Sequence, residues 1–157
     1  MRGDPDIIEL LNDVLTAELT AINQYFVDAK MLQNWGLSKL GEHFHADSID
    51  EMKDADELIE RILYLDGVPN LQRLGPVRVG ESPEEKLRLA LDVEKEAIER
   101  LNRGIALCVA RGDNGTRELL AEILVGEEEH ADWLETQLHA IGDLGAQQWL
   151  AQHLHDD

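Results

Sequence analysis

Apolar residues recur three and four apart over four long stretches of this chain, and Pro and Gly punctuate the gaps between them. Proline occurs only at 5, 69, 76 and 83. The first helix is predicted over about 4–35, with Asp4 as N-cap, Pro5 at its first position and Gly36 beyond its end. Ser38 is read as the cap of a second helix over about 38–66, before Gly67. Ser82, Pro83 and Glu85 form a capping-box start for a third, about 83–111, closed by Gly112. A fourth is expected over about 116–141, stopping at Gly142, and a short fifth over about 146–154. The period-2 alternation of a strand is not seen. The pattern predicts an all-α chain, and the length predicts a single domain over 1–157.

The linkers decide the topology. The first-to-second and third-to-fourth connections are tight turns, so each pair of helices forms an antiparallel hairpin. The segment 67–81 is long and rich in Gly, Pro and Val. Extended at about 3.3 Å per residue it covers roughly 50 Å. The second helix is about 43 Å long at 1.5 Å per residue. The linker therefore travels the length of a four-helix bundle and makes the second and third helices parallel.

Each apolar seam is interrupted by acid near its middle. The first seam runs Ile8, Leu11, Leu15, Glu18, Ile22, Tyr25, Ala29 and Leu32; the second Phe44, Asp47, Glu51, Asp54, Leu58 and Leu65. The third runs Leu87, Ala90, Glu94, Ala97, Leu101 and Cys108; the fourth Leu120, Ile123, Glu127, His130, Leu134 and Ile141. A shift of 76 positions carries Glu18 to Glu94, Glu51 to Glu127 and Asp54 to His130. Each half of the chain thus offers one Glu from one helix and a Glu-x-x-(Asp or His) pair from the next, with i and i+3 on one face. Taken alone, Glu127–His130 reads as a solvated charge run. Six such positions, all in core-facing seams and repeated at one offset, point instead to a dinuclear metal site, because buried unpaired carboxylates are forced to protonate. Oxygen ligands with one imidazole suit iron or manganese, and zinc also fits.

The charge balance agrees. With 33 Asp+Glu against 14 Lys+Arg the formal charge is -19, which disfavours nucleic acid and favours cations. No apolar run is long enough for a membrane span and no segment reads as a signal peptide. Cys108 is the only cysteine, so an intrachain disulfide is excluded and a cytoplasmic location is expected.

The stretches ELTAINQYF (18–26), NWGL (34–37), SIDEMKDADELIERIL (48–63), GVPNLQRLG (67–75) and EEEHADWLE (127–135) resemble the bacterioferritin family, as does the chain start. The resemblance covers essentially the whole chain. It implies a ferritin-like four-helix bundle with a short C-terminal helix, assembled from haem-bridged dimers into a hollow shell of 24 subunits. It also implies oxidation of Fe(II) by O2 or H2O2 at an intrasubunit di-iron centre, storage of the ferric mineral, and a ferredoxin for iron release. Carried over by position, Glu18 and Glu94 are terminal ligands, Glu51 and Glu127 bridge, and His130 completes the iron beside Glu94. Tyr25 and Trp133 match positions the family uses for electron transfer, though both also read as core packing.

The chain departs from the family pattern at Asp54, where a histidine is expected, and at Ala46, where the cavity-surface iron site of the family has a histidine; Asp47 and Asp50 remain. The shorter Asp54 side chain predicts weaker occupancy beside Glu18. Met52 follows the seam residue Glu51 and so points about 100° away from it, toward an outer stripe of Leu19, Ile22, Asn23, Phe26 and Ile49. By itself it reads as interface packing; the resemblance makes it the axial ligand of haem b, one thioether from each subunit across a twofold axis. No Cys-x-x-Cys-His is present, so covalent haem attachment is excluded. Two other readings share the bundle: a di-iron or di-manganese oxidase or catalase, and a DNA-protecting mini-ferritin. The Met52 stripe opposes the first, the charge opposes the second, and the short fifth helix opposes both.

Overall fold

The computed structural model describes residues 2–154. Five helices follow in order: α1 Pro5–Asn34, α2 Ser38–Tyr64, α3 Pro83–Arg111, α4 Asn114–Leu144 and α5 Ala146–Ala151. Their starts follow the local chemistry. The Asp4 carboxylate accepts from Asp6 N–H at 2.9 Å, with Pro5 in the first turn of α1. Ser82 accepts from Glu85 N–H at 3.1 Å at the head of α3. Gly112 ends α3 in the left-handed conformation (φ 72°), which is open to glycine at little cost.

Four predicted boundaries are corrected. Ser38 is the first residue of α2, and Leu37 caps it without a side-chain bond. The fourth helix starts at Asn114 rather than near 116, because Asp113 is its cap: its carboxylate accepts from Thr116 N–H at 3.0 Å. It also runs through Gly142 to Leu144 and stops at Gly145, whose positive φ breaks the helix. A single helical glycine costs about 1 kcal/mol against Ala, too little to end a well-packed helix. The fifth helix is shorter than predicted and ends at Ala151.

The helices pair α1 with α2 and α3 with α4, and the pairs meet through α1·α3 and α2·α4. α2 ends beside the start of α1, where Gly3 N–H donates to Leu65 C=O at 2.9 Å. Arg111, at the end of α3, pairs with Asp4 and Asp6 at that same end. α2 and α3 are therefore parallel, as the linker arithmetic requires. The connection between them, a strap over residues 65–82, climbs the outside of α1 on a ladder of polar side chains spaced four apart. Asn12 takes the amide of Asn70 (2.8 Å) and donates to Val68 C=O (3.1 Å). Thr16 accepts from Arg73 (2.9 Å), Thr20 from Gly75 N–H (2.8 Å) and Gln24 from Arg78 N–H (3.1 Å). Asp28 closes the ladder by pairing with Lys86 at 3.0 Å, where both side chains are 0% exposed, and Lys86 also donates to Gly80 C=O at 2.8 Å. A Cβ at Gly80 would meet Lys86 N at 2.7 Å, so only glycine lets the strap turn so close to α3.

The apolar core is in two clusters. One gathers Tyr25, Leu32, Leu40, Phe44, Leu87, Leu134 and Trp149 at the α5 end. The other gathers Leu11, Leu15, Leu58, Ile62, Leu101, Leu120 and Ile123 at the opposite end. Between them lie Glu18, Glu51, Glu94 and Glu127, all buried. The predicted seams are buried except at Ile8, Ile22, Asp54 and His130, which are half-buried; Ile7 and Ala21 occupy the core in place of the two isoleucines. No helix among the described residues is long and apolar enough to cross a membrane.

Candidate metal centre

The interrupted seams converge. Glu18 of α1, Glu51 and Asp54 of α2, and Glu127 of α4 each direct one oxygen into a group whose donor atoms lie within 4.8 Å of one another. Glu51, Glu94 of α3, and Glu127 and His130 of α4 form a second such group. Glu51 and Glu127 belong to both, so two ions here would lie side by side with these two carboxylates between them. All six residues read from the sequence are brought together, Asp54 included.

The electrostatics of this layer call for cations. Three buried carboxylate oxygens have no hydrogen-bond partner, Glu18 Oε2, Glu94 Oε2 and Glu127 Oε1, while Glu51 Oε1 and His130 Nδ1 meet only as an ion pair at 3.2 Å. A buried polar atom left unpaired costs about 1–3 kcal/mol, more when charged, so three at one point suit a ligand set better than a packing defect. The protons distribute accordingly. Burial, and then the neighbouring Glu94 and Glu51, hold the Glu127 carboxyl well above the ordinary range. Burial also raises Glu51, against the bond from His130. Glu94 is lowered, because bonds from Glu127, His130 and Tyr25 outweigh its own desolvation. Burial and the nearby Glu51 push Asp54 up to about 7. Burial would lower His130, but Glu51 at 3.2 Å and Glu94 at 3.6 Å outweigh it and raise the imidazole to about 11. Without a cation the layer is held together by protons, which a divalent ion could replace.

The aromatic residues divide. The Tyr25 hydroxyl donates directly to Glu94 Oε1 and the ring is buried. Trp133 does not reach the carboxylates. Its ring meets Phe44 edge-on at 6.5 Å, and Phe44 in turn meets Tyr25 at 6.0 Å. Trp133 also stacks on His43, centroids 3.5 Å apart. His43 was not singled out by the sequence reading, although its i,i+4 spacing to Asp47 was legible; its Nε2 lies 3.3 Å from Asp47. Asp47 and Asp50 stand 3.5 and 3.7 Å from His130 Nε2, so the imidazole links the buried layer to an acidic outer face. Met52 lies apart from all of this, 52% exposed, with Phe26 and Ile49 also exposed, as the phase of the helices predicts.

Four long helices, a strap that reverses the second hairpin and a mid-height carboxylate layer define a ferritin-like protein, and the ferritin-like domain family matches residues 8–143. Within that class the similarity is narrower. The chain is 50% identical over 151 residues to the bacterioferritin of Streptomyces coelicolor, covering 96% of this chain and 90% of that one. It is 48% identical to the bacterioferritin of Mycobacterium leprae over 97% of this chain and 96% of that one. To the bacterioferritin of Rhodobacter capsulatus it is 42% identical over 94% and 91%. The chain belongs to the bacterioferritin family.

Proposed function

We propose that the chain is a single-domain subunit of an iron-storage shell, working in the cytoplasm, that oxidises Fe(II) at the layer of Glu18, Glu51, Asp54, Glu94, Glu127 and His130. The observation that carries this is the pair of four-donor groups sharing Glu51 and Glu127, with buried oxygens of Glu18, Glu94 and Glu127 lacking partners. Iron(II) is the substrate. Two ions supply two electrons, and H2O2 with two protons leaves as two waters; O2 serves as the other oxidant. In this reading Glu18 and Asp54 hold one ion, Glu94 and His130 the other, and Glu51 and Glu127 lie between. Tyr25, hydrogen-bonded to Glu94, orients that carboxylate and is the nearest side chain able to give up an electron. Trp133 is a more distant electron source, reached through Phe44.

The ferric product is stored in the hollow of a 24-subunit shell and released through a ferredoxin. Met52 fits haem b: a thioether is open on an apolar outer face, and a twofold axis brings two copies to one iron. Haem bound there supplies a one-electron redox centre between subunits. Sizing and an anaerobic Fe(II) titration followed by oxidant test the reading together. A particle of about 24 chains that oxidises two Fe(II) per chain is expected; a dimer or hexamer would instead favour an oxidase or catalase. Met52→Leu is expected to remove the bis-methionine haem spectrum and leave the shell assembled.

A further inference from the structure

The buried carboxylate layer is reached from two sides, and the two differ in charge. On one side a cavity of about 210 Å³ lies between α1, α3 and the strap, and Glu18, Glu51 and Glu127 form its floor. Its walls are small and mostly apolar: Ala17 and Ala21 of α1, Val93 and Ala97 of α3, and Pro76 of the strap. Its volume holds several water-sized molecules at about 30 Å³ each. Two carboxylates line the cavity above the floor, and both are already paired. Asp13 is held by Arg73 at 2.7 Å, and both oxygens of Glu96 are held by Arg78 at 2.9 Å. Arg100 lines this cavity and the adjoining surface hollow that it shares with Arg73 and Arg103, and it enters no ion pair among the described residues. Arg73, Arg78 and Arg103 are each balanced by an acid, Asp13, Glu96 and Glu99, so Arg100 is the one uncompensated charge at this mouth among the described residues. The other side is the reverse: Asp47 and Asp50 stand against His130, and among the described residues no arginine or lysine is paired to them, Asp47 meeting only His43 besides.

We propose that the strap cavity is the entry port for a small uncharged dioxygen species, hydrogen peroxide or O2, and that Arg100 is its cation filter, so that iron(II) arrives by the acidic Asp47–Asp50–His130 side. This rests on the ferroxidase reading above. A hydrated divalent ion entering the strap cavity must pass an uncompensated guanidinium and shed water against alanine and proline walls. An uncharged oxidant meets neither barrier. Separate entrances also keep oxidant and iron(II) from meeting before both reach the carboxylates. The proposed balance is unchanged: two electrons leave two Fe(II); with H2O2 the O–O bond breaks and two protons complete two waters, and with O2 two protons complete one H2O2.

The test uses the assembled protein and two variants. Ala17→Leu narrows the cavity from a half-buried position; Arg100→Glu inverts the charge at its mouth. Cobalt(II) binding, followed anaerobically by its visible absorption, reads metal entry without turnover. Oxidation of protein preloaded with Fe(II), mixed with H2O2 or with O2, reads oxidant entry. Ala17→Leu is expected to slow oxidation by one or both oxidants several-fold, naming the species that uses the port, with Co(II) stoichiometry and binding rate as in the parent. Arg100→Glu is expected to raise the Co(II) binding rate several-fold. The proposal is overturned if Ala17→Leu slows Co(II) binding or leaves both oxidants unaffected. It is equally overturned if Arg100→Glu leaves the Co(II) rate unchanged. A parent that binds no Co(II) at the carboxylate layer would remove the ferroxidase reading itself, an outcome separate from either variant.

Discussion

Asp54 breaks the internal repeat of the chain, standing where the 76-residue shift carries His130 back onto the first half. Its oxygen nevertheless reaches the Glu18, Glu51 and Glu127 group, so what distinguishes this position is charge and protonation rather than reach. Four carboxylates around one ion carry more negative charge than three and an imidazole. Asp54 must also lose a proton before it can ligate, and burial beside Glu51 has raised that proton to about 7. As pH falls through 7 the proton competes with the metal, so Co(II) occupancy beside Glu18 is expected to decline between pH 8 and pH 6. Asp54→His replaces the carboxyl with a donor whose ordinary value is about 6.5 and which brings no negative charge. The initial phase of Fe(II) oxidation is expected to quicken and metal occupancy beside Glu18 to rise, measured by stopped flow and by anomalous scattering. The same rate and the same two-metal occupancy as the parent would remove Asp54 as the weak point.

At the level of elements, the strap is held by one face of α1. Asn12, Thr16, Thr20, Gln24 and Asp28 recur every four residues, and each is bonded to the strap or to the first turn of α3. The most consequential rung is Lys86–Asp28, where both groups are fully buried and Lys86 is further held by Gly80 C=O and faces Trp35 at 5.3 Å. Removing one partner of such a pair leaves an uncompensated buried charge and costs about 3–5 kcal/mol. Lys86→Met is expected to lower stability by that order in guanidinium unfolding. The double variant Asp28→Leu with Lys86→Met is expected to recover most of the loss, since replacing both charges by apolar groups of similar volume is often neutral. A double variant as unstable as the single would show that the shape of the site, not its charge, sets the cost.

For the whole molecule, the dominant quantity is the net charge of -19. Long-range attraction of Fe(II) to such a chain raises the encounter rate and is screened within about 10 Å at 0.1 M salt. The initial rate of iron uptake is therefore expected to fall as ionic strength rises at fixed pH. A rate independent of salt would show that local ligand chemistry, not the field, sets entry. Arg100 at the strap mouth is the exception to this field, since the neighbouring Arg73, Arg78 and Arg103 are each paired with an acid, and total charge gives no hint of it.

Much of this protein was legible along the chain. The 3.6-residue period marked four long helices, and Asp4, Pro5, Ser82, Pro83 and Gly112 marked their ends, because capping and helix breaking act over a few bonds. The length of the strap determined that α2 and α3 are parallel, a matter of reach alone. The six ligand candidates stood out because acid in an apolar seam contradicts its surroundings, and one offset repeats the contradiction. Tertiary packing decided the rest. Gly142 does not end α4, because packing outweighs a weak propensity. Trp133 sits one ring away from Tyr25 and stacks on His43, a relation between α2 and α4 that no spacing within one helix encodes. The Asn12-to-Asp28 ladder is visible as a spacing, but its partners lie more than fifty positions further along the chain. Likewise Arg100 is one charge among many in the sequence, and only the fold sets it beside a cavity that ends on Glu18, Glu51 and Glu127.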